Sequence, residues 1–207
     1  MGLLSGGIRM RRYRVMGDVP PDFRDRYEEA IQTHAFQDFA SDDEREQVAG
    51  WVGANDWFEP GLPLDRWLVG STICLTLRVD TKRIPSKYFK LQCRRREAEW
   101  RLKAGREDLT RAERDEIAAL VRRELLERVI PSVQGTDMVW DLDRREAWFW
   151  STAEKANETF RTLFERTFGL RLRPLFPYSL ALEVLGEDRA EVLDRVAPAW
   201  FAPGGGS

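Results

Sequence analysis

Four cationic side chains recur at a spacing that would place them together on one helix. Counted from the first, the others follow after three, seven and fourteen residues, and each of these offsets returns to nearly the same angle around an α-helix. Such a row can bind phosphate groups of a polyanion without contacting its bases. The set, which we call the basic stripe, consists of Lys87, Lys90, Arg94 and Arg101.

The charge around the basic stripe is strongly segregated from that of the rest of the chain. Residues 82–106 contain ten Lys or Arg against two Glu, a local charge of +8, whereas the whole chain carries −2. A positive surface of this kind attracts polyanions in a salt-sensitive way. The flanking cations expected to contact phosphates are Lys82, Arg83, Lys103 and Arg106. Charge alone also fits a solvated helix whose cations serve solubility.

A second kind of chemistry is suggested by Asp141 and Asp143, with Asp137 nearby. Carboxylates can hold Mg²⁺ and activate water on a phosphodiester, so a metal-dependent nuclease is one alternative. Aspartate is equally typical of turns, and the turn is the interpretation we favour. His34 is the only histidine, and no Gly-rich phosphate loop is present. We therefore predict a protein that is not an enzyme and uses no cofactor or metal.

The basic stripe requires a helix, and the segment 82–131 predicts two of them folded back on each other. Pro85 suits a first helical turn, and residues 86–103 contain no helix breaker. After a glycine turn, Thr110 and Glu113 have the spacing of a capping box, which predicts a second helix. Its apolar residues repeat at helical spacing: Ile117, Leu120, Val121, Leu125 and Val129. The product is a basic αα-hairpin.

The remaining elements predict an α+β fold with a largely antiparallel sheet. We expect one domain over residues 1–200 and a flexible tail over 201–207. No apolar run has the length of a signal peptide or a membrane span, so we expect a cytoplasmic protein without membrane contact. The expected elements are strands at 8–15, 67–79, 137–143 and 147–151, one or two strands within 171–185, and helices after Asp22, at 153–168 and at 187–196.

A series of short landmarks in a fixed order resembles the bacterial recombination-associated protein RdgC family over about the first 185 residues. No single landmark is specific; their order and spacing carry the resemblance. They are Tyr13-Arg14-Val15, Ala35-Phe36, Gly50-Trp51-Val52, Arg83-Ile84-Pro85, Leu125-Leu126-Glu127-Arg128-Val129-Ile130, Met138-Val139-Trp140-Asp141-Leu142-Asp143 and Ser151-Thr152-Ala153-Glu154-Lys155-Ala156.

The resemblance implies a dimeric, nucleoid-associated protein that binds double-stranded DNA without sequence specificity and restrains RecA-dependent recombination and replication-fork processing. The hairpin would lie against the DNA. Family members typically extend further at the C-terminal end, so the resemblance implies a short form. Where the family commonly has Leu-Leu-Pro-Arg-Ala-Phe, with the aromatic ring near DNA, the matching position here is Ile130. An isoleucine can wedge against bases but cannot stack on them.

A third class of function, a protein-interaction module, also fits the hairpin. In that case the hairpin would act as a dimer arm, with Trp100 and Leu102 pairing between chains. Binding would then be insensitive to salt, which separates this hypothesis from DNA binding.

Overall fold

The computed structural model describes residues 9–40, 43–54, 56–58 and 61–196, with only the backbone described at Glu187. Its strands are β1 (Arg11–Met16), β2 (Gln47–Val52), β3 (Leu68–Val69), β4 (Thr72–Thr81), β5 (Ser132–Asp141), β6 (Glu146–Phe149) and β7 (Arg171–Pro174). Its helices are α1 (Phe23–Thr33), α2 (Leu64–Trp67), α3 (Ser86–Ala104), α4 (Arg111–Arg128), α5 (Glu154–Phe168), α6 (Pro177–Leu185) and α7 (Ala190–Asp194), with a 3₁₀ turn at Glu187–Arg189.

The strands form one sheet in the order β2-β4-β5-β6-β1-β7, and β3 pairs with one end of β4. Every strand pair is antiparallel. The longest ladder joins β4 and β5 over ten residue pairs, from Thr72 opposite Asp141 to Thr81 opposite Ser132. These observations confirm the α+β class and the antiparallel sheet predicted from the sequence.

The core lies between the sheet and the helices α1 and α5, and aromatic rings dominate it. Phe160 of α5 stacks on Phe149 of β6 with ring centroids 4.2 Å apart. Trp140 lies 5.1 Å from Phe164 in an edge-to-face arrangement. Rings of this size bury a large apolar area, and their offset and edge contacts add further stabilisation.

A buried polar residue, Asn157, connects the first turn of α5 to the sheet. The Tyr13 hydroxyl donates a 2.6 Å hydrogen bond to the Asn157 side-chain oxygen, and both residues are fully buried. The Asn157 amide in turn donates to the carbonyls of Ser151 and Ala153. Every polar atom of this side chain is therefore satisfied in the core, as burial of a polar group requires.

One sequence prediction is wrong in detail. Residues 67–79 do not form one strand: α2 ends at Trp67, and a turn with Gly70 at φ 63° folds the short β3 back onto β4. Glycine adopts this left-handed conformation without steric cost, so the turn interrupts an otherwise apolar run. The segment 171–185 supplies one strand, as the prediction of one or two allowed, and Pro177 then starts α6 in its first-turn position.

Other predictions are confirmed. The structure contains α1, the β5–β6 hairpin and α5, which ends at Gly169 in the left-handed conformation. His34 caps α1 by hydrogen bonding to the Ala30 carbonyl. The expected tail, residues 201–207, lies outside the described residues. None of the described helices combines the length and the hydropathy that a membrane span requires.

The helices α3 and α4 pack on each other around a small core of their own. Its buried members are Leu109, Ile117, Val121 and Leu125. The Thr110 hydroxyl accepts from the Glu113 N–H, and the Glu113 carboxylate accepts from the Thr110 N–H, so the predicted capping box is present at the start of α4. Hydrogen bonds from the Thr110 N–H and hydroxyl hold the pKa of Glu113 below its usual value, and a hydrogen bond from Arg106 adds a smaller effect in the same direction.

Replacing Asn157 with Ala is expected to destabilise the fold by about 2–3 kcal/mol, because the Tyr13 hydroxyl then stays buried without a partner. Urea denaturation followed by circular dichroism measures the change. Adding Tyr13→Phe to the same variant removes the orphaned hydroxyl and should recover part of the loss. Strictly additive effects of the two substitutions would contradict the proposed pairing.

Replacing Thr110 with Ala is expected to cost about 1 kcal/mol, because the first turn of α4 loses its cap. The carboxylate of Glu113 has a lowered pKa in the folded protein, so its stabilisation is complete above the unfolded pKa and is lost as pH falls through the folded value. The destabilisation measured for Thr110→Ala in denaturant should therefore shrink on acidification. A pH-independent difference would argue against the coupled cap.

Candidate nucleic-acid interface

The helix α3 is held at the surface by one face alone. It begins after Pro85, ends at Gly105 in the left-handed conformation and contains no fully buried residue. Phe89, Cys93 and Trp100 are partly buried against the small core shared with α4. Most of the other positions of this nineteen-residue helix are exposed.

The basic stripe lies on this open surface. Lys87, Lys90 and Arg94 are exposed, and no ion pair is recorded for them among the described residues. Arg101 is half-buried and lies 3.4 Å from Glu97, one turn earlier. At about 1.5 Å of rise per residue, the stripe extends over about 21 Å of helix. That length is sufficient for several phosphates of one DNA strand.

The flanking cations fall into different environments. Arg83 and Lys103 are exposed, at opposite ends of α3. Arg106 forms an ion pair with the capping carboxylate of Glu113. Lys82 is only 8% exposed, and its ammonium lies 4.4 Å from the centroid of the Phe39 ring. The structure thus separates Lys82 from the cations on the hairpin surface.

Ile130 is the most exposed large apolar side chain of the described residues, at 89%. It follows the C-cap of α4 and precedes β5, where Ser132 pairs with Thr81. This pairing brings the two ends of the hairpin together, so Ile130 and Arg83 both belong to its base. An exposed apolar side chain of this kind is suited to contact a groove edge or a base.

Further cations on α4 were not predicted as site residues. Arg122 lies over the Phe89 ring, 5.4 Å from its centroid, and pairs with Glu46. Arg123 pairs with Glu44 at 2.6 Å. The neighbouring arginines are visible in the sequence, but their carboxylate partners lie more than seventy residues away and could not be inferred from local spacing.

A shallow groove of about 270 Å³ runs between α3 and α4. Arg96 of α3 crosses it to pair with Glu124 of α4 at 2.7 Å. Tyr88, Arg95 and Arg128 also contribute to its lining. The mixture of both charge signs here contrasts with Lys87, Lys90 and Arg94 of the basic stripe, which have no ion pair among the described residues.

The aspartates considered for metal binding take part in local structure. The Asp141 carboxylate accepts the Arg144 N–H at 2.9 Å, and Asp143 accepts the Ser71 hydroxyl at 2.6 Å. The buried Asp137 accepts the Thr76 hydroxyl at 2.5 Å. Within the described ranges, no group of three His, Cys, Asp or Glu side chains is arranged to hold a metal ion.

Trp100 and Leu102, considered as a pairing surface between chains, also differ in environment. Trp100 packs partly against the core within its own hairpin. Leu102 is largely exposed, together with Tyr88 and Leu91 on the same helix. An apolar edge therefore runs beside the basic stripe.

Comparison with known proteins identifies the family. No curated protein is similar enough to the chain to count as a match. A family model described as "Putative exonuclease, RdgC" matches residues 9–187 of the 207. This match spans the sheet, the hairpin and α5, and it agrees with the series of landmarks in the sequence. The chain therefore belongs to the RdgC family, whose members are associated with recombination.

Proposed function

We propose that this protein is a non-enzymatic, sequence-independent binder of double-stranded DNA, and that the open surface of α3 is its contact face. The observation that carries the proposal is the row of cations on α3, of which Lys87, Lys90 and Arg94 are exposed and without ion pairs among the described residues. Exposed cations without a carboxylate partner can neutralise DNA phosphates, and the release of the counterions condensed on the DNA favours binding.

The chemistry of the face supports binding without sequence specificity. Lys87 and Lys90 present flexible ammonium groups, which bind phosphates as point charges. Arg94 adds a planar donor that can pair bidentately with a phosphate. Contacts of this kind position a protein on any duplex but do not distinguish its bases. Arg83 and Lys103 extend the same face at the two ends of the helix, and Arg101 and Arg106 contribute once their intrachain carboxylates are exchanged.

Family membership supports a proposal for the wider role. We infer that the protein acts as a dimer, associates with the nucleoid and modulates RecA-dependent recombination and replication-fork processing. We further infer that residues 1–200 form one domain, since the described strands from β1 to β7 share a single sheet. DNA coating by such a protein would compete with other proteins that need access to the same duplex.

The second candidate is an exonuclease, which the printed description of the family suggests. Asp141 and Asp143 would be its carboxylates. Asp141 already accepts a hydrogen bond from Arg144 in the β5–β6 turn, and Asp143 accepts one from Ser71. Both carboxylates would have to exchange these contacts for a cation. DNA binding through Lys87, Lys90 and Arg94 needs no such rearrangement and is the function we favour.

Reversing two charges of the stripe, Lys87→Glu with Arg94→Glu, is expected to weaken duplex binding equally for unrelated sequences. The slope of log affinity against log salt should fall by about two, because two phosphate contacts are lost. Fluorescence anisotropy of labelled random-sequence duplexes across a salt series measures both quantities.

The matched control is Arg144→Glu with Arg145→Glu, which makes the same change in net charge on the β5–β6 turn. These arginines pair with Asp141 and Asp18, so their reversal should change binding much less. Equal losses in the two double variants would show that net charge, not the α3 face, governs binding. Salt-independent binding would instead favour the protein-interaction module.

Replacing Ile130 with Ser is expected to weaken binding modestly while leaving the salt slope unchanged, because an apolar contact releases no counterion. The side chain is almost fully exposed, so the melting temperature should stay constant. Val69→Ser on the distant β3 is a matched control, since Val69 is also exposed. A change in salt slope, or an equal effect of both substitutions, would contradict a DNA-contact role for Ile130.

Incubation of end-labelled duplex with the protein and Mg²⁺ tests the exonuclease candidate directly. We expect intact DNA after conditions that give saturated binding. Magnesium-dependent shortening that disappears in Asp141→Asn would overturn the non-enzymatic proposal. Shortening that persists in this variant would be attributed to a contaminating nuclease.

A further inference from the structure

The short acidic segment before β2, residues 43–46, lies against the outer surface of α4. Glu46 forms an ion pair with Arg122, and Glu44 forms one with Arg123. The segment is anchored at its end, because the Glu46 carbonyl accepts a 2.8 Å hydrogen bond from the Lys82 N–H. The residue that leads from β4 into the hairpin, Lys82, therefore helps to hold the two carboxylates beside α4.

The other two charged members of the segment have a different arrangement. Asp43 and Arg45 pair with each other, and hydrogen bonds from Arg45 lower the pKa of the Asp43 carboxyl to about 2. Glu44 and Glu46 are therefore the groups whose negative charge faces the hairpin. Each of them pairs with one of two adjacent arginines of α4.

Arg122 adjoins the region of α3 that carries the start of the basic stripe. Its guanidinium lies over the ring of Phe89, which sits between Lys87 and Lys90 in the sequence. Phe89 faces α4, so Arg122 lies to the side of the basic stripe, where it would contact phosphates other than those that the stripe binds. Arg123 follows directly on the same helix.

Both ion pairs lie in water. The side chains of Arg122 and Glu46 are each 54% exposed, and those of Arg123 and Glu44 are 59% and 61% exposed. Exposed pairs of this kind contribute little to stability and are screened by salt. A phosphate offers an arginine the same planar, charge-assisted hydrogen bonds as a carboxylate. Exchange of one anion for the other is thus chemically conservative.

We propose that Arg122 and Arg123 are a second phosphate-binding pair, which Glu46 and Glu44 occupy in the free protein and DNA phosphates occupy in the complex. The inference rests on the proposed function and deepens it, since the acidic segment becomes an intramolecular competitor of DNA. Binding at this pair releases the protein's own carboxylates as well as counterions from the DNA phosphates. The segment therefore lowers affinity. Because salt also screens its ion pairs with α4, the competition weakens as salt rises and offsets part of the salt dependence of DNA binding.

The test compares duplex binding by the full chain and by Glu44→Gln with Glu46→Gln, which removes the competing charges. We expect binding to tighten several-fold and the salt slope to become steeper. The matched control, Glu116→Gln with Glu127→Gln, makes the same charge change at exposed positions of α4 that have no recorded ion pair among the described residues. Equal tightening in both variants would overturn the proposal.

A second pair of variants tests the specific exchange. Arg122→Gln with Arg123→Gln should weaken binding, and adding the two glutamate substitutions to it should give no further change. If the glutamate substitutions tighten binding equally with and without the arginines, the competitor does not act through them and the proposal is overturned. Matching melting curves by circular dichroism establish that all variants are folded.

The outcomes also distinguish the inference from the proposed function. Suppose that reversal of Lys87 and Arg94 abolishes binding, but that the effects of the glutamate and arginine substitutions are additive. The DNA-binding function then stands, and only the proposed competition by the acidic segment is overturned. If neither the unaltered chain nor the glutamate variant binds duplex at low salt, the DNA-binding function fails, and the inference fails with it.

Discussion

The ladder between β4 and β5 is the constraint on which the candidate site depends. Its last pair, Thr81 with Ser132, closes the fifty-residue segment that contains both long helices. Ordering a segment of this length carries an entropic cost that the helices would have to offset alone if their ends were free. Ten consecutive residue pairs in the centre of the sheet fix those ends instead. The hairpin then needs only a small core to hold its two helices in contact.

Because the β4–β5 ladder fixes the ends of the hairpin, α3 does not need a broad apolar face, and this explains its composition. A helix that had to anchor the fold would bury a broad apolar face, whereas α3 buries no residue completely. Its stability comes from partial packing of Phe89 and Trp100, from its glycine C-cap and from ion pairs along its surface. The remaining positions are free to carry unpaired cations. The large aromatic core lies instead under α1 and α5.

Local signals in the sequence predicted the helices of the hairpin well, because proline, glycine and the Thr110–Glu113 capping box act within a few residues. The turn at Gly70 was missed because the apolar residues on both sides of it form one continuous run. Lys82 was grouped with the surface cations by its position alone, but the Phe39 side chain, distant in sequence, covers its ammonium. The pairing of the acidic segment with α4 is likewise long-range, so no local pattern could indicate it. The hairpin was therefore predictable, whereas the state of each of its charges was not.

The way in which the hairpin joins the sheet also has an evolutionary consequence. Because its two ends meet at one strand pair, helical turns could be added to or deleted from α3 and α4 together without altering the register of β4 and β5. Each added turn would lengthen the hairpin by about 5.4 Å and would leave the core positions on nearly the same face of each helix. The length of the hairpin can thus differ between relatives while the sheet to which it is joined stays unchanged.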